Sequence, residues 1–252
     1  MTGCLRIDLN ADLGEGAGRD GELLALISSA NVACGVHAGN DDAMRRTVVL
    51  AAARGVSVGA HPGIADREGF GRREAAVDVR EIAVLVASQI LALHRIAVTT
   101  GIALSHVKPH GALYNLAARD PDAGAAVIEG VLAAGVCRTL YILAGSSLAG
   151  RAQEAGLEAV EEAFADRGYR ADGSLVPRGV PGDMIDDPAT AARRAVRLAV
   201  EGMVEAVDGA LVRLAPRTIC VHGDGPRALE TARAVADALR AAGVEIARPD
   251  AR

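Results

Sequence analysis

The stretch His106-Val107-Lys108-Pro109-His110-Gly111-Ala112-Leu113-Tyr114-Asn115 decides how this chain folds, because it sets two histidines and a lysine within five residues directly after an apolar run. Four other strand-like runs finish the same way: Ile7-Asp8-Leu9-Asn10-Ala11-Asp12, Ala33-Cys34-Gly35-Val36-His37, Val58-Gly59-Ala60-His61 and Cys220-Val221-His222-Gly223-Asp224. Short apolar runs that end one after another in acids and imidazoles read as strands whose carboxyl ends build one site from many loops, as in barrels and open parallel sheets alike.

Outward from these runs, strands are predicted near residues 5 to 9, 31 to 34, 56 to 60, 103 to 107, 139 to 143, 158 to 163 and 218 to 221, with longer Ala/Leu/Arg/Glu segments between them. Asp120-Pro121 and Asp187-Pro188 put an acid at the helix N-cap and proline at the first helical position. Pro226 after Gly225 reads the same way, and Gly55, Gly135, Gly156 and Gly243 are placed to stop helices. Alternating strands and helices make βαβ units and a mostly parallel sheet. Seven strands favour a closed or nearly closed β/α barrel, since an open sheet leaves two edges to protect; a doubly wound sheet is the alternative. No linker divides the chain, so residues 1–252 read as a single domain.

Half of the 252 residues are apolar but only 2% are aromatic, so the core must be filled by Ala, Val, Leu and Ile. A net charge of −5, with short Arg clusters mixed with acids, argues against nucleic acid as a partner. There is no uninterrupted apolar run of about 18 residues and no basic segment before an apolar signal core, so no membrane partner and a cytoplasmic location are expected. The four cysteines form no C-x-x-C pair and predict free thiols. Cys34, three residues before His37, is read as packed and not as a soft-metal ligand, and Cys4 and Cys220 as packing residues. Neither a phosphate-binding P-loop nor a dinucleotide glycine fingerprint is present.

Two stretches break the alternation. Residues 61 to 76 form a glycine-rich loop too long for a plain connection. Residues 164 to 183 carry Ala171-Asp172-Gly173-Ser174 and read as a hairpin. Either suits a lid.

Of the six histidines, five fall at or near strand ends, while His94 lies within a helical run and reads as structural. His106 is inside its strand and fits a hydrogen-bonded core residue as well as a site residue. Asp8, Asn10, Asp12 and Glu15 crowd one strand end, where carboxylates hold a hard cation or divide acid and base roles. Asp8, Asn10 and Asp12 share a face only if the strand extends that far. Asp12, His37 and His61 can be assembled into a metal site of the kind that binds Zn, Mn, Co or Fe. Lys108, before a proline, is placed to stabilise developing negative charge, and His110 to act as general acid or base. His222-Gly223-Asp224-Gly225 reads as opening a helix whose free amides suit an anion, or as a cap with a surface histidine.

With these segments in view, the chain resembles the LamB/YcsF family, which is associated with the A component of the bacterial ATP-dependent 5-oxoprolinase. Ile7 to Glu15, Ser29 to Gly39, Gly59-Ala60-His61-Pro62 with Gly69-Phe70-Gly71-Arg72, His106 to Asn115, Phe164 to Tyr169 with Asp172 to Arg178, and Cys220 to Asp224 carry the resemblance. Departures are small: Asn40 stands where the family often has Asp, Gly63-Ile64 replaces a Ser-aromatic pair, and Gly182-Asp183-Met184-Ile185 differs from Gly-Ala-x-Ile.

The resemblance implies a seven-stranded, distorted β/α barrel like that of polysaccharide deacetylases. It also implies hydrolysis of 5-oxo-L-proline to L-glutamate, coupled to ATP with Mg²⁺ and carried out with partner subunits B and C. Phosphorylation of the amide oxygen would make the lactam carbon electrophilic. The site then needs a base, an oxyanion stabiliser and a carboxylate anchor. His110 or Asp12, with Glu15 beside them, are candidates for the first and Lys108 for the second. Arg72 or Arg167 suits the third, with Asn10, His222 and Asp224 as further substrate contacts. A divalent metal and a homo-oligomer are both compatible with this reading. Its alternatives are a metal-dependent deacetylase of a sugar or amide, and a non-catalytic regulatory component.

Overall fold

The computed structural model describes residues 5–73 and 77–249, so Cys4 and the last part of the 61 to 76 loop lie outside the described residues. Its strands are β1 (Arg6–Leu13), β2 (Ser29–Ala33), β3 (Ser57–His61), β4 (His106–Val107), β5 (Thr139–Leu143), β6 (Glu158–Phe164), β7 (Met203–Glu205), β8 (Leu211–Arg213), β9 (Thr218–Val221) and β10 (Glu245–Ile246). The helices are α1 (Asp20–Leu23), α2 (Asp41–Ala52), α3 (Val79–Thr99), α4 (Gly111–Arg119), α5 (Pro121–Ala134), α6 (Leu148–Glu154), α7 (Pro188–Glu201) and α8 (Ala228–Ala241).

Strands β1, β2, β3, β4, β5, β6 and β9 pair in that order, all parallel, and β9 returns to β1. The chain is therefore a closed seven-stranded β/α barrel, each barrel strand overlapping one predicted from the sequence. The short pieces were not foreseen: β10 joins Arg6 and Ile7 at the start of β1, and β7 and β8 form an antiparallel hairpin outside the barrel. Two- and three-residue strands are too short to show a period in sequence.

β1 runs to Leu13, four residues beyond the predicted end, and this extension sets the character of the barrel. Its alternate residues Ile7, Leu9, Ala11 and Leu13 belong to the apolar core, while Asp8, Asn10 and Asp12 share the other face. That second face is the lumen, and it is polar. Asp8 accepts from Ser28, Ser29, Thr218 and Tyr141, and Asn10 donates to Glu162 and Thr218. Asn31 donates to both Asn10 and Asp12. The expected Ala/Val/Leu/Ile core is present, but between sheet and helices.

His106 is a core residue of this lumen. Its ring stacks on Tyr141 at 4.1 Å, with Nε2 2.8 Å from Asn31 Oδ1 and Nδ1 2.8 Å from Ser105 Oγ. The ring fits because the neighbouring strand has Gly59 opposite, where a Cβ would lie 2.2 Å from His106 Nε2.

The helix starts follow the sequence signals. Asp120 caps α5 and Asp187 caps α7 by accepting backbone N–H groups of the first turn, and Gly135 ends α5 in the left-handed region. Asn40 caps α2 through Ala43 N, a role Asp would fill equally well. Pro226 does not open α8, which starts at Ala228; the His222 amide is instead taken by Asp166 Oδ2, holding residues 222 to 225 in a turn off the helical path. His94 lies within α3, as expected.

At 21 residues α3 is long and apolar enough to cross a bilayer by length and composition. In the barrel its face of Ile82, Val86, Ile90 and Leu93 is buried. Cys34, Cys137 and Cys220 are free thiols. The 164 to 183 segment turns back through a Tyr169–Leu175 bridge, with Arg170 N donating to Ser174 O.

Candidate active site at the carboxyl ends of the strands

His61 ends β3, His110 follows β4 by three residues, His37 follows β2 by four and His222 follows β9 directly, so the closed barrel brings all four to one rim. Two neighbouring centres result.

The first centre is a knot of three imidazoles over Glu15. His37 and His110 are stacked, their ring centroids 3.9 Å apart and 3° from parallel, and His61 meets both edge-on. Glu15 Oε1 is 3.2 Å from His37 Nε2, 3.4 Å from His110 Nδ1 and 3.9 Å from His61 Nε2. One donor atom from each of the four residues lies within 4.8 Å of the others, a set that fits a divalent cation.

The glycine-rich loop presses on this knot. A Cβ at Gly63 would sit 2.5 Å from His37 Nδ1, and one at Gly71, whose φ is +63°, would sit 2.9 Å from His37 Cβ. Burial, then the charge of His61, pushes His37 down to about 3, while burial and the Asp12 charge push Glu15 well above the usual carboxylate range. Both shifts favour uncharged forms, so their contact is not an ion pair unless another charge joins them.

Asp12 adjoins the knot, with Oδ2 3.3 Å from His61 Nε2, but its other oxygen faces Lys108 at 3.0 Å. Lys108 is the hinge between lumen and site. Only 2% exposed, its Nζ lies 3.0 Å from Asp12, 3.0 Å from Glu162, 3.3 Å from Asn10 and 3.0 Å from Cys220 Sγ. Burial opposes charge on both partners. For Asp12 the charges of His61 and Lys108 outweigh it and hold the carboxyl well below its usual range. For Lys108 the facing Asp12, Cys220 and Glu162 raise the ammonium above its ordinary value. The sequence places this ammonium at a developing negative charge, but an ammonium has three donors and four acceptors already surround it.

The second centre is a cavity beside the knot, lined by Asp12, His61, Arg72, Lys108, His110, Arg167 and His222 among the residues anticipated from sequence. Asn10, Glu15, His37 and Asp224 do not line it. Asn10 sits below in the lumen. Asp224 accepts from Arg72 Nη2 at 2.6 Å. Arg167 spends Nε and Nη2 on the carbonyls of Asp183 and Val176, fastening the 176 to 184 segment.

Sequence reasoning missed Asp166, Arg178, Tyr114 and Glu162. Asp166 receives both His222 Nδ1, at 2.9 Å, and the His222 amide, at 2.8 Å, so the imidazole is fixed with Nε2 left for the cavity. Burial would raise the Asp166 carboxyl, but the His222 charge and hydrogen bonds hold it below its usual value. Arg178 lines the cavity within the field of Arg72. Among the described residues the Tyr114 hydroxyl, buried in the wall, has no well-formed hydrogen bond, and burial beside Glu162 pushes it well above the ordinary phenol value, so it stays a neutral donor. Arg178, Tyr114 and Asp166 lie in or next to segments that carry the family resemblance, the one signal that could have found them.

The sequence profile of the LamB/YcsF family matches residues 7–252. The crystal structure of a lactam utilization protein from Thermus thermophilus is 47% identical in sequence, covers 96% of this chain and 99% of its own, and superposes with a TM-score of 0.89. A family 4 carbohydrate esterase from Streptomyces lividans in complex with acetate is 11% identical, covers 97% of this chain and 93% of its own, and has a TM-score of 0.50. A peptidoglycan deacetylase from Bacillus subtilis is 13% identical, covers 97% of this chain and 88% of its own, and has a TM-score of 0.52. The last two share the fold alone.

Proposed function

The chain belongs to the LamB/YcsF family, and from that premise we propose that it opens the lactam ring of 5-oxo-L-proline to L-glutamate, coupled to ATP with Mg²⁺ and to partner subunits B and C. The observation that carries this reading is the cavity itself, which sets a carboxylate-oriented imidazole, a neutral hydroxyl donor and two guanidinium groups around one space.

A lactam bearing a carboxylate needs an anchor for its anion, and Arg178 with Arg72 supplies it, since Arg167 is held by backbone carbonyls. His222 is the proton-moving group. Asp166 holds its Nδ1–H, so Nε2 takes a proton from water or returns one to the leaving nitrogen. His110 and Asp12, the bases suggested by sequence, are less suited: both His110 nitrogens have close partners and Asp12 faces Lys108. Tyr114 donates to the oxygen as charge develops, with the Lys108 ammonium acting through space. A divalent ion held by the histidine knot would supply Lewis-acid polarisation at the edge of the same cavity.

Resonance makes a lactam resistant, so activation at its oxygen by ATP fits a site that contains no phosphate-binding loop of its own and relies on partners. The test mixes the chain with subunits B and C, ATP, Mg²⁺ and 5-oxoproline, and measures glutamate and ADP. Coupled release of both with the complex, and negligible turnover by the chain alone, is expected; robust glutamate release without partners would sink the partner dependence, and none in the full mixture would sink the lactam reading. The histidine knot favours one second reading, a metal-dependent deacetylase, which release of acetate from an N-acetylated sugar would reveal.

A further inference from the structure

The three imidazoles over Glu15 differ in where their protons must sit. Carbonyl oxygens only accept. His61 Nδ1 lies 2.7 Å from Lys108 O, and His110 Nε2 lies 2.8 Å from Phe70 O, so each of those nitrogens carries its ring's N–H. In neutral rings the opposite nitrogens, His61 Nε2 and His110 Nδ1, are bare lone pairs, and they face each other at 2.9 Å. Glu15 Oε1 approaches the same gap from 3.4 and 3.9 Å. Acceptors this close repel unless something positive joins them.

His37 is held differently. Its Nδ1 is buried with no hydrogen-bond partner among the described residues, and an orphaned buried N–H is rarer and costlier than an orphaned acceptor. The proton therefore sits on Nε2, donated to Glu15 at 3.2 Å. Phe70 adds an independent sign. It is a non-glycine residue at φ 55°, and backbone held in that region is retained where the surroundings require it, here with its carbonyl on His110.

We propose that His61 Nε2, His110 Nδ1 and Glu15 together bind one divalent transition-metal ion, with His37 orienting Glu15 and not ligating. Two imidazoles and a carboxylate suit Zn²⁺, Mn²⁺, Fe²⁺ or Co²⁺. The carbonyls of Lys108 and Phe70 are the outer partners that ligating histidines characteristically use to fix tautomer and ring direction. Of the set read from sequence, Asp12, His37 and His61, only His61 keeps a ligand's role. Asp12 Oδ1 is held by Lys108 and Asn31, and although its Oδ2 lies 3.3 Å from His61 Nε2, Asp12 falls outside the set of donor atoms that lie within 4.8 Å of one another, while His37 becomes a positioning residue.

The ion is read on the chain without substrate, so this inference and the lactam reading fail separately. Chelator-stripped protein is titrated with Co²⁺ and followed by visible absorption and equilibrium dialysis, with circular dichroism confirming the fold. One equivalent with ligand-field bands is expected. His61→Gln, His110→Gln and Glu15→Gln should each weaken uptake by about a hundredfold or more, and His37→Gln by roughly 10- to 100-fold with stoichiometry kept, the range seen for outer-shell changes. Should one ligand variant fail to fold, the other two carry the test. Absence of Co²⁺ uptake would overturn the proposal, as would wild-type affinity in folded ligand variants, or loss of binding in His37→Gln alone. The rival occupant of the gap is a shared proton, and a downfield proton resonance between His61 and His110 persisting at saturating diamagnetic Zn²⁺ would likewise overturn it.

Discussion

His222 and His110 are both strand-end imidazoles, yet their surroundings engage their ring nitrogens differently. Asp166 fixes His222 by one nitrogen and leaves the other for the cavity, while His110 has a close partner at each nitrogen. His222→Gln in the reconstituted complex should therefore lower kcat by about 10²- to 10⁴-fold, the usual weight of a positioned acid or base. Asp166→Asn should lower it too, with glutamate release the measurement; near-normal turnover in both would move the base elsewhere. Arg178→Met should instead raise KM for 5-oxoproline by about tenfold or more, as expected on losing a charged hydrogen bond worth roughly 1.5–3 kcal/mol, and an unchanged KM would remove Arg178 from the anchor. That histidines and acids gather at strand ends is legible in sequence. Which of them are free is not, because it is decided by backbone carbonyls, Phe70 and Lys108, whose direction no side-chain pattern announces.

At the scale of elements, the helix starts were legible because Asp-Pro is a local signal that works through its own first turn. Asp187→Ala should cost α7 about 1 kcal/mol, read as a lower melting temperature with activity kept. Gly71→Ala concerns the long loop. The new Cβ must adopt φ +63° and meets His37 and His110 at 2.9 and 3.0 Å. Stability should fall by about 1–2 kcal/mol, and turnover should fall with it as the knot shifts. Wild-type melting and activity would mean the loop yields freely. The seven barrel strands were legible from period and punctuation. The length of β1 was not, because acids and amides at alternate positions are ordinarily a loop signal; here Asp8 and Asp12, with Asn10 between them, extend the strand by bonding inward across the lumen.

For the whole molecule, Lys108 is the ammonium among buried carboxylates, so Lys108→Met should cost about 3–5 kcal/mol by leaving them uncompensated, which chemical denaturation would measure. The ammonium is raised above its ordinary 10.5, so its contribution is fully present below pH 10.5 and is lost as pH rises through the folded value. Asp12 is held below its ordinary 3.8, so its share is present above pH 3.8 and is lost as pH falls through the folded value. Wild-type stability should thus drop on both sides of that window, and the alkaline drop should shrink in Lys108→Met; equal alkaline limbs would show that the pair does not titrate as a unit. The same lumen also governs assembly. Sliding β1 by one residue against its neighbours would turn Asp8, Asn10 and Asp12 towards the helices and Leu9 and Ala11 into the polar interior. Every slip by an odd number of residues must then strand charge in an apolar layer, so the network acts as a proofreader of strand pairing against those near-miss folds.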